Sequence, residues 1–296
     1  MSNGKAPSGD PLSSGMILLM AFACGAMVAN LYYAQTLIDE IGPEIGLAKP
    51  LTGTIVTLTQ LGYGLGLFLL VPLGDLLENR RLTLLLTGGT CLGSLGIALS
   101  QGPATFLAAS LVTGVCATGA QILLPLASHL SSPERQGRII GQIMSGLLAG
   151  IMLARPLASF TTEFLGWRAV YFLSAGLMLL IGLALAIALP RRAPSSKQSY
   201  GSILASMVSL AKKHRELRLR AFYQAAMYTA FNLFWTAAPL VLLRKFHFSQ
   251  NGIALFALAG AGGALAAPLA GALADRGLAR LTTLAAHGLL VLCFLA

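Results

Sequence analysis

Val71-Pro-Leu-Gly-Asp75-Leu-Leu-Glu-Asn-Arg80-Arg81 closes an apolar stretch that begins at Leu51. Two hundred residues later, Gly271-Ala-Leu-Ala-Asp275-Arg276-Gly277 stands at the same place after another apolar stretch. A short acidic–basic turn repeated after two apolar helices marks a chain duplicated inside a membrane. Working outward from these turns, the rest of the sequence reads as helices.

Only 10% of the 296 residues are charged and 56% are hydrophobic, with a mean hydropathy of +0.76. Soluble domains carry about a quarter charged residues, so a soluble fold is excluded. The apolar residues fall into blocks of about 20, the length that crosses roughly 30 Å of hydrocarbon as a helix. Nearly every block holds Gly or Pro, which membrane helices tolerate because neighbours satisfy the freed backbone groups. The expected class is an all-α, multi-pass membrane protein in a lipid bilayer.

Helices are expected at about Met16–Ile38, Leu51–Leu73, Leu82–Ser100, Ala104–Leu130, Ile139–Thr162 and Trp167–Leu189, then Ala221–Leu243, Gly252–Leu273 and Leu281–Ala296. The organisation follows: a tail over 1–15, a six-helix bundle over 16–190, a basic connector over 191–220 and a partial second bundle over 221–296. Eight of the twenty Lys and Arg lie between Arg191 and Arg220, which argues for membrane topology and against nucleic acid. With the N-terminus inside, fifteen basic residues fall on the cytoplasmic side against four outside (Lys49, Arg168, Arg244, Lys245). That places the chain in the plasma or inner membrane with a cytoplasmic N-terminus. The last block has 16 residues and ends in hydrocarbon on Cys-Phe-Leu-Ala, so three further helices are expected beyond a truncated chain.

Cys24, Cys91, Cys116 and Cys293 sit inside apolar blocks without metal-ligand or disulfide spacing, and read as small packing residues. No cofactor or metal is expected. An integral-membrane enzyme needs a clustered nucleophile, ligand set or paired carboxylates, and the sequence offers none. Gly62/Gly66, Gly89/Gly93 and Gly146/Gly150, with a stripe at Ala259, Gly263, Ala267 and Gly271, are the small-xxx-small spacings that bring helix backbones together in lipid.

Six helices, a long basic loop and a restart of the pattern resemble the major facilitator superfamily, whose two six-helix halves are parallel repeats around a central path. Its signature, roughly Gly-x-Leu-x-Asp-Arg-x-Gly-Arg-Lys, lies in the loop after the second helix of each half. The first copy here keeps Asp75, Arg80 and Arg81 but has Val71 for the first glycine. The second keeps Gly271, Leu273, Asp275 and Arg276, with only Arg280 for the basic end. Asn30-Leu-Tyr-Tyr-Ala-Gln35, Thr57-Leu-Thr-Gln-Leu-Gly-Tyr63 and Gly166-Trp-Arg168 resemble bacterial efflux members, including drug, sugar and purine-nucleoside exporters. Family members usually place Pro after Tyr-Ala-Gln, where this chain has Thr36, and the Gly-Pro pair of their fifth helix reads Arg155-Pro156 here. The arginine often found in their fourth helix is absent, with Thr113 in that region. The resemblance implies transport of a small organic solute by alternating access, as efflux with proton antiport. A truncated remnant that inserts but does not transport is the competing expectation.

A solute path needs polar side chains on the inward faces of several helices. Gln142, Ser145, Met152 and Arg155 read as one face of the fifth helix, and Gln224, Tyr228, Asn232 and Trp235 as one face of the seventh. Asn30 with Tyr33, Gln60 with Tyr63, and Thr113 with Gln121 add polar faces on the first, second and fourth. The alternative for each is an interhelical hydrogen bond, worth about 0.6–2 kcal/mol. Arg155 stands out: a cation at that depth costs at least ~2.5 kcal/mol on insertion scales without polar surroundings. It reads as a cavity cation for an anionic or hydrogen-bond-accepting substrate or for answering a proton, or else as an arginine snorkelling to the headgroups.

No Asp or Glu lies deep in a helix; Asp39 and Glu40 stand at the outer end of the first, and His287 is the histidine placed deepest. Asp75, Arg80 and Arg81, with Asp275 and Arg276, read as gating loops whose charge-assisted hydrogen bonds latch inner helix ends. In the family this acid engages the opposite half near its eleventh helix. A well-capped turn is the alternative.

Overall fold

A computed structural model describes residues 12–132, 135–191, 198–261, 273 and 278–295. The described residues contain helices and no strands. Six runs, Lys49–Asp75, Asn79–Ala98, Pro103–Leu130, Gln136–Leu165, Trp167–Ala188 and Arg215–Phe246, are long and apolar enough to cross a membrane.

Helix α1 (Ser14–Ala29) starts where the Ser13 hydroxyl accepts the Met16 amide proton at 3.2 Å, the usual service of a serine N-cap. It is buried from Ala23 to Ala29. The first span, expected as one helix over Met16–Ile38, is broken after Ala29. The amides of Asn30, Leu31 and Tyr32 reach back three residues instead of four, a 3₁₀ helix follows over Tyr33–Thr36, and α2 runs Ile38–Glu44. No proline is involved. The tightened turn sends adjacent tyrosines to different neighbours: Tyr32 meets Phe231 and Tyr33 meets Tyr171, each edge to face at 6.3 Å.

Helix α3 (Thr54–Leu69) ends in a 3₁₀ turn over Val71–Asp75, and α4 covers Asn79–Ala98. The fourth span, expected as Ala104–Leu130, is two helices, α5 (Pro103–Ala117) and α6 (Gly119–Leu130). They meet at Thr118, whose hydroxyl takes the Val115 carbonyl at 2.7 Å and so diverts an acceptor at the joint. Helix α7 (Gln136–Leu165) and α8 (Trp167–Ala188) share Gly166 as C-cap and N-cap at φ +78°, a left-handed corner that glycine adopts without steric cost. The basic connector carries α9 (Tyr200–Lys213), and α10 (Arg215–Phe246) already begins within it; α11 (Gln250–Ala261) and α12 (Ala279–Leu295) follow. The small-residue stripe from Ala259 to Gly271 lies outside the residues whose side chains are described.

Pairs of spans cross at their glycines. Helix α1 packs on α7, α3 on α5, and α4 on both α5 and α8. A Cβ on Gly25, Gly146 or Gly150 would collide with the facing backbone of the α1–α7 crossing, and one on Gly62, Gly66 or Gly114 with that of α3–α5. Gly93 and Gly89 make room for Thr113 and Cys116 in the same way. In lipid, where apolar side chains gain nothing by leaving their solvent, such close packing carries the association. We expect Gly150→Leu to lower the thermal unfolding midpoint in detergent by well over the shift of an ordinary overpacking change of about 1–3 kcal/mol. Gly64→Ala in α3, where nothing lies within 4 Å, is expected to leave the midpoint unchanged or raise it slightly. Equal effects of the two would show that the crossings are not set by backbone contact.

Candidate functional site

Arg155 lies in α7 and is 1% exposed, one residue before the helix's internal Pro156. Its Nε donates to Gln35 Oε1 at 2.9 Å and its Nη1 to the Ile151 carbonyl at 3.2 Å. Three rings surround the guanidinium: Trp235 at 4.5 Å, Tyr32 at 4.7 Å and Phe231 at 5.1 Å. Each such contact is worth about 0.5–2 kcal/mol when desolvated, together enough to offset much of the burial cost. Among the described residues no carboxylate pairs with it, and its Nη2 is buried without a partner. An arginine remains protonated in a protein, so the site holds one uncompensated positive charge.

The hydrogen bonds continue outward as a closed network. Gln35 and Gln60 both donate to Asn232 Oδ1, at 2.9 and 3.2 Å. The Tyr228 hydroxyl donates to Gln60 Oε1 at 2.9 Å and lies 3.3 Å from the Tyr32 hydroxyl. Asn232 Nδ2 donates to the Tyr228 carbonyl at 2.9 Å. Four segments thus meet at one point: the broken first span, α3, α7 and α10. Beside it Gln121 donates to the Tyr63 hydroxyl at 3.0 Å, joining α6 to α3.

Of the residues expected to line a path, Arg155, Gln60, Tyr228, Asn232 and Trp235 are brought together here, with Tyr63 and Gln121 alongside. Asn30 and Tyr33 turn the other way. Asn30 Oδ1 accepts from Ser94 at 3.0 Å and Ser174 at 2.7 Å, tying α1 to α4 and α8, and Tyr33 packs on Tyr171. Thr113 is buried against Gly93. Gln142 is exposed on α7 and does not share the face of Arg155: thirteen residues leave the two about 140° apart around the axis and about 20 Å along it. Tyr32, Gln35 and Phe231 belong to the cluster and are not among the residues expected to line the path, although Tyr32 and Gln35 lie within the Asn30–Gln35 stretch that carries the family resemblance. Phe231 sits three residues after Tyr228 and four before Trp235, a helical-face spacing that would have found it.

The acidic–basic turn divides its charges. Arg81 pairs with Glu78 at 2.9 Å, and Arg80 donates to the Ala186 carbonyl near the end of α8. Asp75 is exposed and lines a cavity of about 690 Å³ under α9, with Asn79, His129, Ser206 and Met207. The Tyr200 hydroxyl of α9 donates to the Leu69 carbonyl at 2.8 Å. Asp275 and Arg276 lie outside the described residues. At the opposite, Asp39 end, α2 is joined across the connector. Arg244 binds Asp39 in a two-pronged pair, Nε to Oδ2 at 2.8 Å, and Gln250 donates to Glu40 Oε1 at 2.7 Å. Burial pushes the Glu40 carboxyl above its usual range; the Gln250 bond pulls it back, and Glu163 and Glu44 add to the rise. His287 sits apart, on α12, against Tyr223 and the Thr283 carbonyl.

Comparison with known proteins accounts for this architecture. A family model described as Major Facilitator Superfamily matches residues 15–296. The chain is 42% identical over 286 residues to an uncharacterized transporter, YgaY, of Escherichia coli O157:H7, covering 96% of this chain and 73% of that protein. It is 31% identical over 279 residues to a probable transporter, SCO4007, of Streptomyces coelicolor, covering 93% of this chain and 64% of that one. With the family match extending across nearly all its length, and with its apolar helices long enough to span a bilayer, the chain belongs to the Major Facilitator Superfamily of membrane proteins.

Proposed function

We propose that this protein moves a small organic solute across the membrane by alternating access, with the Arg155 cluster as the point where the two halves close around it. The observation that carries the reading is a buried cation with no carboxylate beside it among the described residues, wrapped by residues from both sides of the connector. A packing residue would not hold a spare charge there, because an unpaired buried charge is costly to retain. The relatives' names as transporters support the same reading.

In the orientation proposed from the basic residues, the Asp75 end faces the cytoplasm and the Asp39 end faces outward. The described contacts then correspond to a conformation joined outside, through Asp39–Arg244 and Glu40–Gln250. The Asp75 turn is proposed as the inner gate, its acid uncommitted among the described residues while Arg80 fastens the turn to α8. Efflux with proton antiport is the direction and coupling proposed, from the resemblance to bacterial exporters. Glu40 is the carboxyl that suits such coupling, because it sits on the joint between the halves. Its raised affinity for a proton belongs to the joined conformation, so lowering the pH favours that conformation.

Three outcomes test this reading. In vesicles containing the protein, Arg155→Ala is expected to abolish solute counterflow and Arg155→Lys to reduce it at least tenfold; unchanged counterflow in Arg155→Ala overturns the cavity role. Asp39→Arg or Arg244→Asp alone is expected to slow exchange, and the two together to restore it in part; the pair is exposed, so each effect should stay near tenfold or below. Glu40→Gln is expected to flatten the dependence of counterflow on pH, and a profile that still falls as in the unaltered protein removes Glu40 from the coupling.

A further inference from the structure

We infer that the solute taken at Arg155 is a monovalent organic anion, a carboxylate carried on a flat apolar body. This rests on the transport reading and names its substrate class. In the amide and hydroxyl network every side-chain oxygen of Gln35, Gln60 and Asn232 is engaged by a neighbour within the cluster. The buried hydrogen-bonding capacity left over there is the N–H edge of Arg155 at Nη2. What complements it is an acceptor, and the site's net positive charge makes that acceptor an anion. The guanidinium fork matches a carboxylate in its own plane.

Two further features narrow the class. A phosphate dianion would call for a second cation, and among the described residues the other side chains of the cluster are neutral. The faces beside the fork are aromatic: Tyr32, Phe231 and Trp235 stand around the guanidinium, and Tyr228 stacks on Phe231 at 6.5 Å. Flat apolar walls of this kind bury a ring or conjugated chain, and with the Gln35, Gln60 and Asn232 oxygens already engaged the cluster leaves few acceptors for the hydroxyls of a polyhydroxylated solute. A cationic solute is repelled outright.

The chain has two tryptophans, and Trp167 packs remotely on Phe106 and Tyr171. A Trp167→Phe protein in lipid vesicles, which add no protein of their own, therefore reports from Trp235 alone. We expect saturable emission changes with benzoate and 2-naphthoate, at least tenfold tighter than with benzamide or benzylammonium, and weaker responses to acetate and to phenyl phosphate. The preference should vanish in Arg155→Gln and persist, weakened, in Arg155→Lys. Equal binding of benzoate and benzamide, or no saturable response to either aryl carboxylate, overturns the assignment; this comparison needs no change at Arg155. Tighter binding of phenyl phosphate overturns the single charge, and acetate binding as tightly as benzoate overturns the flat body. Counterflow that depends on Arg155 without anion preference would sink this inference and leave transport standing. Anion binding without any counterflow would do the reverse.

Discussion

The guanidinium of Arg155 is the constraint around which the described bundle is arranged. A full positive charge has been withdrawn from water with no acid to meet it among the described residues, and induced and partial charges hold it there: three ring faces, one amide oxygen and one carbonyl. Such a set works only if all members arrive together. Gln35 is delivered by the 3₁₀ segment after α1, Tyr32 by the turn between α1 and that segment, and Phe231 and Trp235 by one face of α10. A straight first helix would present Tyr32 and Tyr33 about 100° apart on one continuous rod. The break instead gives one ring to the cation and the other to the α8 side of the bundle.

That delivery depends on how closely the helices approach. The α1–α7 crossing at Gly25, Gly146 and Gly150 brings the first span to Arg155's own helix. Asn30, immediately beyond the crossing, binds Ser94 and Ser174 and so fixes the start of the break against α4 and α8. Backbone contact thus sets the distance, and a single carboxamide sets the rotation. Both lie below the site and touch none of its charge.

Much of this was readable in the residues themselves. The repeated acidic turn, the block lengths and the basic connector led to the fold because each is a local pattern with a fixed physical meaning in a bilayer. The seventh-span face of Tyr228, Asn232 and Trp235 was readable because helical periodicity survives an unbroken helix. The break in the first span was not, since no proline or glycine stands there and the cause is hydrogen bonding three residues back. Counting puts Gln142 on the face of Arg155, but thirteen residues do not close a whole number of turns. The partners of Arg80 and Arg81 were hidden for another reason: sequence shows which charges are near one another, and only packing shows that Glu78 and an α8 carbonyl claim them first.

The cage around Arg155 also sets an order of assembly. Phe231 and Trp235 lie 76 and 80 residues downstream of the arginine they cover. At roughly 5–20 residues per second, the ribosome supplies them about 4–16 s after Arg155 itself. Until then the newly made α7 has Tyr32, Gln35 and its own Ile151 carbonyl to receive its charge, without the two rings of α10. The chain before the basic connector is therefore born with an open account that α10 settles.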